Sequence, residues 1–229
     1  MIKITSRRTE NKRESGGIKM KLYLIRHGET DWNKTRRLQG QVDIPLNDFG
    51  RKLARETAPA LQNVPFEVVY TSPLLRAKET AELVIGDRKI PMIEDTRIME
   101  MGFGEYEGLI CKGHDYNIPD PAFRNFFLAP EKYDPPQGGE SFEQLSERLH
   151  AFLEEIFHKK ELADKTILVS THGAALCGML RLIKKAPIEQ FWGSGVHKNC
   201  AVTVVEVKDG KAHILEEAVT YYREEVADW

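Results

Sequence analysis

Four side chains that can bind or attack an anion follow stretches of the chain that have the pattern of β-strands. Arg26 ends the first stretch and His27 follows it, Arg76 follows the second, and His172 follows a later one and precedes Gly173. Because ligands of open α/β sheets bind at the carboxyl ends of the strands, these groups are expected to converge. Two guanidinium forks, two imidazoles and a helix beginning at Gly173 predict an anion site, and phosphate is the natural ligand.

Short runs of apolar and β-branched residues predict the strands that would position these groups. A continuous apolar run, such as the one at 21–26, is typical of a strand that is covered on both faces. A final pair of strands is predicted to be joined by a turn at Asp209-Gly210. The predicted strands are 21–26, 68–70, 90–93, 166–170, 202–207 and 212–219.

Helical patterns lie between the predicted strands and are bounded by capping residues. The predicted helices run from Ser72-Pro73 to Gly86, from the capping box of Ser141 and Gln144 through Ile156, and from Gly173 to about Lys185. Strands that alternate with helices predict an α/β fold. We expect a three-layer sandwich in which helices flank a mostly parallel central sheet.

The distribution of residue types predicts a single folded domain at 20–229 preceded by a flexible basic tail at 1–19. Residues 109–140 are rich in glycine, proline and aromatic residues, and a segment this long between core elements is usually functional. We predict that it forms a partly helical insertion that caps the substrate at the active-site end of the sheet. Its aromatic cluster would either dock the insertion or form an apolar wall; the cluster comprises Phe123, Phe126 and Phe127.

Composition excludes several classes of protein. Of 229 residues, 41% are hydrophobic, and the net charge of -2 gives no general attraction to nucleic acid or membranes. Three cysteines without CxxC spacing indicate neither a disulfide framework nor a thiolate zinc site. No apolar run approaches the roughly 18 residues that span a bilayer. These features favour a cytoplasmic protein.

Six short motifs follow one another along the chain. They are Arg26 to Thr30 with Asn33, Gln39-Gly40 with Asp43, Pro45-Leu46 and Gly50, Ser72 to Ala77, Glu100 with Gly104 and Tyr106 to Gly108, Gly138 to Ser141, and Ser170 to Gly173. In this order they resemble the motifs of the histidine phosphatase superfamily, which includes cofactor-dependent phosphoglycerate mutases. The resemblance spans about residues 20–207.

The resemblance implies a catalytic role for each of five side chains. His27 would be the nucleophile, attacking phosphorus with a neutral ring nitrogen. Arg26 and Arg76 would hold the phosphate oxygens, and His172, charged in the complex, would add another donor. Glu100 would protonate the leaving group.

The resemblance also implies a set of substrate contacts around the catalytic groups. Asn33 would orient a phosphate oxygen or the nucleophile. Gly173 would begin the helix whose positive end faces the anion. Thr30 and Gln39 would be peripheral contacts to the phosphate or the rest of the substrate.

A metal-independent phosphomonoesterase acting on a small phosphorylated metabolite, with no cofactor, is the function that this resemblance implies. The first alternative is a mutase of the same mechanism. Against it, 109–140 carries few basic residues, and Ala174 stands where mutases typically have asparagine. A second alternative is a binding module for phosphorylated ligands that has no catalytic activity.

Two further interpretations concern the titratable groups. His27, His172 and Glu100 could form a metal site with two histidines and one carboxylate, but Arg26 and Arg76 would repel a cation from it. Glu105 and Glu107 are rival candidates for the acid, although a solvated surface position is the commoner fate of such residues.

Overall fold

The computed structural model of the protein describes residues 19–226, and these residues contribute six strands to one sheet. The order across the sheet is β3-β2-β4-β1-β5-β6. The strands are β1 (Lys19–Arg26), β2 (Val68–Thr71), β3 (Met92–Glu94), β4 (Thr166–Thr171), β5 (Val202–Lys208) and β6 (Lys211–Val219).

Helices fill most of the connections between these strands. The α-helices are α1 (Asp31–Lys34), α2 (Asp48–Leu61), α3 (Leu75–Ile85), α4 (Asn125–Leu128), α5 (Phe142–His158) and α6 (Gly173–Lys184). Single turns of 3-10 helix lie at Thr96–Ile98, Gly104–Tyr106, Pro121–Arg124, Pro130–Lys132, Lys160–Leu162 and Ile188–Gln190.

The sheet is mostly parallel, as the sequence predicts. β1 pairs in parallel with β4, and β2 pairs in parallel with both β4 and β3. β5 is antiparallel to β1 and to β6. The three-layer α/β sandwich is therefore confirmed, with an antiparallel pair at one edge.

Two apolar cores hold the layers together because successive side chains of a strand point to opposite faces of the sheet. In β1, Leu22 and Leu24 face one core with α5 and α6, whereas Ile25 faces the other core with α2 and α3. Helix α6 is buried from Gly173 to Leu180. Burial on both faces explains why the central strands read as continuous apolar runs.

Several details differ from the sequence-based prediction, and three of them concern whole helices or the third strand. Helix α3 begins at Leu75 rather than at Pro73, and the side chain of Asp43 accepts the Leu75 N–H at 2.7 Å, which caps the helix from elsewhere in the chain. The third strand occupies Met92–Glu94 instead of 90–93. Helix α2 was not predicted, since Gly50 near its start and Pro59 near its end weaken the helical pattern.

The predicted tail at 1–19 lies outside the described residues, except for Lys19, which begins β1. The segment 109–140 contains α4 and short 3-10 turns, as expected of a partly helical insertion. Among residues 19–226, no helix has both the length and the apolar composition needed to cross a bilayer.

Candidate active site

A pocket opens beyond the carboxyl ends of β1 and β4, at the start of α6. Every predicted site residue except Thr30 and His172 lines it. The described lining residues are Arg26, His27, Asn33, Leu38, Gln39, Gly40, Arg76, Glu100, Phe103, Phe126, Phe127, Gly173, Ala174, Trp192 and Val196. Parallel strands thus bring residues from distant parts of the sequence to one edge.

The ring of His27 is held in one orientation and one tautomer. Its Nδ1 lies 2.7 Å from the carbonyl oxygen of Gly28, which can only accept, so Nδ1 carries the proton and Nε2 keeps its lone pair. The amide of Asn199 donates to the backbone carbonyl of His27 at 2.9 Å. Burial, reinforced by Arg76 and Arg26, keeps the pKa of His27 well below 6.5. His27 is therefore a neutral imidazole with an available nitrogen at Nε2.

Gly28 is required by close packing beside this histidine. A Cβ at this position would lie 2.7 Å from the carbonyl oxygen of Gly50. Its N–H donates to Thr80 Oγ1 at 2.9 Å. The glycine thus lets the loop after β1 approach α2 and fixes the carbonyl that orients His27.

Two buried arginines flank His27. Arg26 donates through Nη1 to the backbone carbonyl of His197. Arg76 donates to the carbonyl oxygens of Val42 at 2.9 Å and Gly40 at 2.7 Å. Burial lowers the pKa of each guanidinium to about 10, so both remain charged at neutral pH. The pocket therefore has two fixed positive charges beside a neutral imidazole.

His172 lies against His27, with 5.1 Å between the ring centroids. Its Nδ1 accepts from Arg76 Nε at 3.1 Å, and its Nε2 lies 2.7 Å from Ser72 Oγ. Accepting at Nδ1 requires an unprotonated nitrogen, so the ring is neutral and donates from Nε2. Burial, with Arg76 next in effect, keeps its pKa well below 6.5. These contacts hold His172 in its neutral form, and its charge in a complex with phosphate stays a prediction.

Glu100 lies at the N-terminus of α6. Its Oε1 accepts from the N–H groups of Met101 and Ala175, both at 3.0 Å, and its Oε2 accepts from Ala174 N–H at 3.2 Å. The first N–H groups of a helix have no partner within the helix, and together with the helix dipole they attract negative charge to this position. Glu100 therefore lies at the pocket, bound to the same helix end that would attract a phosphate.

The remaining predicted contacts form a small buried cluster. Thr30 caps α1 by accepting Asn33 N–H at 3.1 Å, and its own N–H donates to Asn33 Oδ1 at 3.1 Å. The Thr30 hydroxyl also lies 3.0 Å from Gln39 Oε1. Asn33, Gln39 and Gly173 line the pocket, whereas Thr30 lies behind them.

Three further residues support the site and were not predicted to do so. Arg148 pairs with Glu140 at 2.6 Å and donates to the carbonyl of Glu100 at 3.0 Å. Glu107, expected to be solvated, instead accepts three backbone N–H groups, whereas Glu105 is exposed as expected. Asn199 supports His27. A single sequence gives little signal for such contacts, because their partners are far apart along the chain.

Apolar residues form one side of the pocket. Phe126 and Phe127 of the insertion line it together with Trp192, whose Nε1–H donates to the Phe126 carbonyl at 2.7 Å. Phe126 also stacks on Phe142, with the ring centroids 5.3 Å apart, and Phe123 is buried beside it. The aromatic cluster therefore docks the insertion and also forms an apolar side of the pocket, while its contact with a substrate stays a prediction.

The buried histidines make the stability of the fold depend on pH. Burial lowers the pKa of His27 and His172 well below 6.5 and that of His197 to about 4. In the unfolded chain these rings gain protons as the pH falls below about 6.5, which stabilises only the unfolded state. We expect the free energy of unfolding to fall below that pH by up to about 1.4 kcal/mol per pH unit for each histidine.

Urea unfolding at about pH 7.5 and about pH 5.5 measures this dependence. Replacing buried His197 by glutamine should reduce it, whereas His158→Gln, at an exposed position, should leave it unchanged. Equal unfolding free energies at the two pH values would contradict the expectation.

Comparison with known proteins agrees with this geometry. A model of the histidine phosphatase superfamily (branch 1) matches residues 22–220. The metal-independent phosphoserine phosphatase of Arabidopsis thaliana is 38% identical over 192 residues, covering 83% of this chain and 77% of that protein. A 2,3-bisphosphoglycerate-dependent phosphoglycerate mutase 2 of Gloeobacter violaceus is 34% identical over 173 residues, covering 74% and 78%.

The solved structure of Bacillus stearothermophilus YhfR shares the fold. It has a TM-score of 0.81 and 38% identity to this chain, and the match covers 88% of this chain and 98% of that one. The family match extends over most of the sequence, and its matched range includes all the residues that line the pocket. The chain belongs to the histidine phosphatase superfamily, branch 1.

Proposed function

We propose that this protein is a metal-independent phosphomonoesterase that hydrolyses small phosphate esters through a phosphohistidine on His27. The observation that carries the proposal is the fixed tautomer of His27. With the proton on Nδ1 held by the Gly28 carbonyl, Nε2 keeps a lone pair between two positive charges. A neutral nucleophile beside fixed cations suits attack on an anionic phosphorus centre.

In the first step, the Nε2 lone pair of His27 forms a bond to phosphorus while the ester P–O bond breaks. The leaving alkoxide takes a proton from Glu100. In the second step, water attacks the phosphohistidine, Glu100 takes a proton from that water, and the P–N bond breaks. Inorganic phosphate leaves, and both His27 and Glu100 regain their starting protonation states.

The two arginines and the start of α6 stabilise the charge on the phosphoryl oxygens. Their donors are fixed before substrate binds, because Arg26 and Arg76 are already held by backbone carbonyls. His172, neutral in its contacts with Arg76 and Ser72, fixes the orientation of Arg76.

The pocket lining supports hydrolysis over mutase chemistry. Among the lining residues of the described chain, the lysine and arginine side chains are Arg26 and Arg76, and we assign both to a single phosphate. A mutase must also retain a second phosphate group, and Ala174 adds no polar side chain for it. The apolar wall supports substrates whose leaving group has an apolar part. Relatives include both a phosphoserine phosphatase and a mutase, so the reaction itself must be assayed.

A panel of phosphate esters tests the proposal directly. O-Phosphoserine, 3-phosphoglycerate and an aryl phosphate are compared by phosphate release and by kcat/KM. The same preparation is assayed for interconversion of 2-phosphoglycerate and 3-phosphoglycerate with 2,3-bisphosphoglycerate present. We expect phosphate release to dominate. Faster interconversion would support the mutase, and binding of phosphate without turnover would support the binding module.

Chelation should not lower this activity. The positive charge that other phosphatases obtain from metal ions is supplied here by Arg26 and Arg76. After treatment with EDTA and desalting, we expect the rate of phosphate release to stay within about twofold of the untreated enzyme. A large loss that added Mg²⁺ or Zn²⁺ restores would contradict metal independence.

A further inference from the structure

We infer that Glu107 is a positioning residue that holds the guanidinium group of Arg76 toward the phosphate. The inference rests on the proposed function. It concerns a carboxylate that does not line the pocket, yet contacts two backbone segments that do.

The carboxylate of Glu107 accepts hydrogen bonds from three backbone N–H groups. Its Oε1 accepts from Gln41 at 2.9 Å and from Phe103 at 3.0 Å, and its Oε2 accepts from Val42 at 2.9 Å. Glu107 is half-buried, and bonds between N–H groups and a carboxylate are stronger than those to a neutral acceptor. It therefore ties the 40–42 loop to the segment that follows Glu100.

The carbonyl groups of that loop orient Arg76. Nη2 of Arg76 donates to Gly40 at 2.7 Å, and Nη1 donates to Val42 at 2.9 Å. Its Nε donates to His172 at 3.1 Å. The peptide plane between Gly40 and Gln41 thus donates its N–H to Glu107 and accepts from Arg76 through its carbonyl oxygen. Val42 likewise donates its N–H to Glu107 and accepts from Arg76 at its own carbonyl. Glu107 acts on the arginine through the backbone, without touching it.

Gly40 is the residue that allows this arrangement. A Cβ at position 40 would lie 1.9 Å from Glu107 Oε1, and the backbone there has a φ of +51°, a conformation that suits glycine. The close approach of the carboxylate to the loop therefore depends on the absence of a side chain at this position.

Glutamine at position 107 would break part of this network. Its amide oxygen could still accept, but its NH₂ group would face one of the N–H donors, since all three partners are donors. The 40–42 loop would shift, and the acceptors for Arg76 would shift with it. Misplacing a phosphate-binding group by about 1 Å is enough to slow catalysis strongly.

The test compares Glu107→Gln with Glu105→Gln, an exposed neighbour in the same turn. We expect Glu107→Gln to lower kcat/KM by about 10- to 100-fold and to weaken inhibition by inorganic phosphate, while Glu105→Gln changes neither. The pH profile of kcat/KM should keep its shape. Loss of one limb of that profile would instead identify Glu107 as the proton donor and overturn the positioning role.

A double-mutant cycle with Arg76→Lys shows whether Glu107 acts through Arg76. Because Arg76→Lys already removes the guanidinium fork, adding Glu107→Gln should cost little more. If the fold-losses in kcat/KM of the two single variants multiply in the double variant, the inference is overturned. If Glu107→Gln does not fold, Glu107→Asp keeps the charge with a shorter reach, and the same cycle and the same phosphate inhibition apply to it.

The outcomes separate the two proposals. A wild-type chain that binds inorganic phosphate but releases none from any ester overturns the proposed function. Inorganic phosphate binding, measured by calorimetry, still tests Glu107 in that case. An active wild type whose Glu107→Gln and Glu107→Asp variants bind phosphate and turn over normally overturns the inference alone.

Discussion

Replacing His27 by alanine is expected to lower kcat/KM by about 10⁴-fold or more, because the variant has no atom that can form the bond to phosphorus. The two arginines and the start of α6 remain in place. Binding of inorganic phosphate or vanadate should therefore persist. Steady-state phosphate release and calorimetric titration of the same protein measure the two effects separately.

The matched control for this variant is His158→Ala, which removes an exposed histidine that is not among the residues lining the pocket. It should turn over normally. Labelled ester mixed with wild-type enzyme and quenched within milliseconds should leave an acid-labile label on the protein, and His27→Ala should leave none. Unchanged turnover by His27→Ala would remove this residue from the mechanism.

Replacing Glu100 by glutamine is expected to lower kcat/KM for an alkyl phosphate by about 10²- to 10⁴-fold, the range for loss of a general acid. An alkoxide leaves poorly without a proton, whereas p-nitrophenolate leaves readily without one. The decrease in the rate of the first step should therefore be much smaller for p-nitrophenyl phosphate than for an alkyl ester.

The second step still needs Glu100 to deprotonate water, so phosphohistidine should accumulate in Glu100→Gln. Stopped-flow measurements with p-nitrophenyl phosphate should show a burst of p-nitrophenol that approaches one per enzyme molecule, followed by slow turnover. Glu105→Gln serves as the control and should show no such change. Equal losses for alkyl and aryl esters, with no burst, would contradict the assignment of Glu100 as acid and base.

The sequence predicts the fold class well, because each buried strand shows in it as a short continuous run of apolar residues. The runs of β1, β4 and β5 are apolar since both faces of the sheet are covered. Helix α2 escaped prediction for a local reason as well, since glycine and proline lower helical propensity even where packing against α3 stabilises the helix. Tertiary contacts overrode propensity there.

Residue types and strand-end positions by themselves determined the chemistry expected of the pocket. Arg26 and His27 must lie at the end of β1, and His172 at the end of β4, because adjacent parallel strands end at one edge. An anion site follows from those residue types. The charge of His172 in the complex stays a prediction, because it depends on the two partners of the ring, and one of them is Arg76, 96 residues away in the chain.

Only the tertiary structure decided how each group is held. The proton on His27 lies on Nδ1 because packing turns the ring toward the Gly28 carbonyl, and Glu107 acts on Arg76 because folding brings the 40–42 loop between them. Sequence patterns indicate burial and backbone preference, and both are inferred from residues that are close together along the chain. Hydrogen bonds between residues 65 or 66 positions apart, such as those of Glu107, depend on the meeting of distant segments, and no local pattern encodes them.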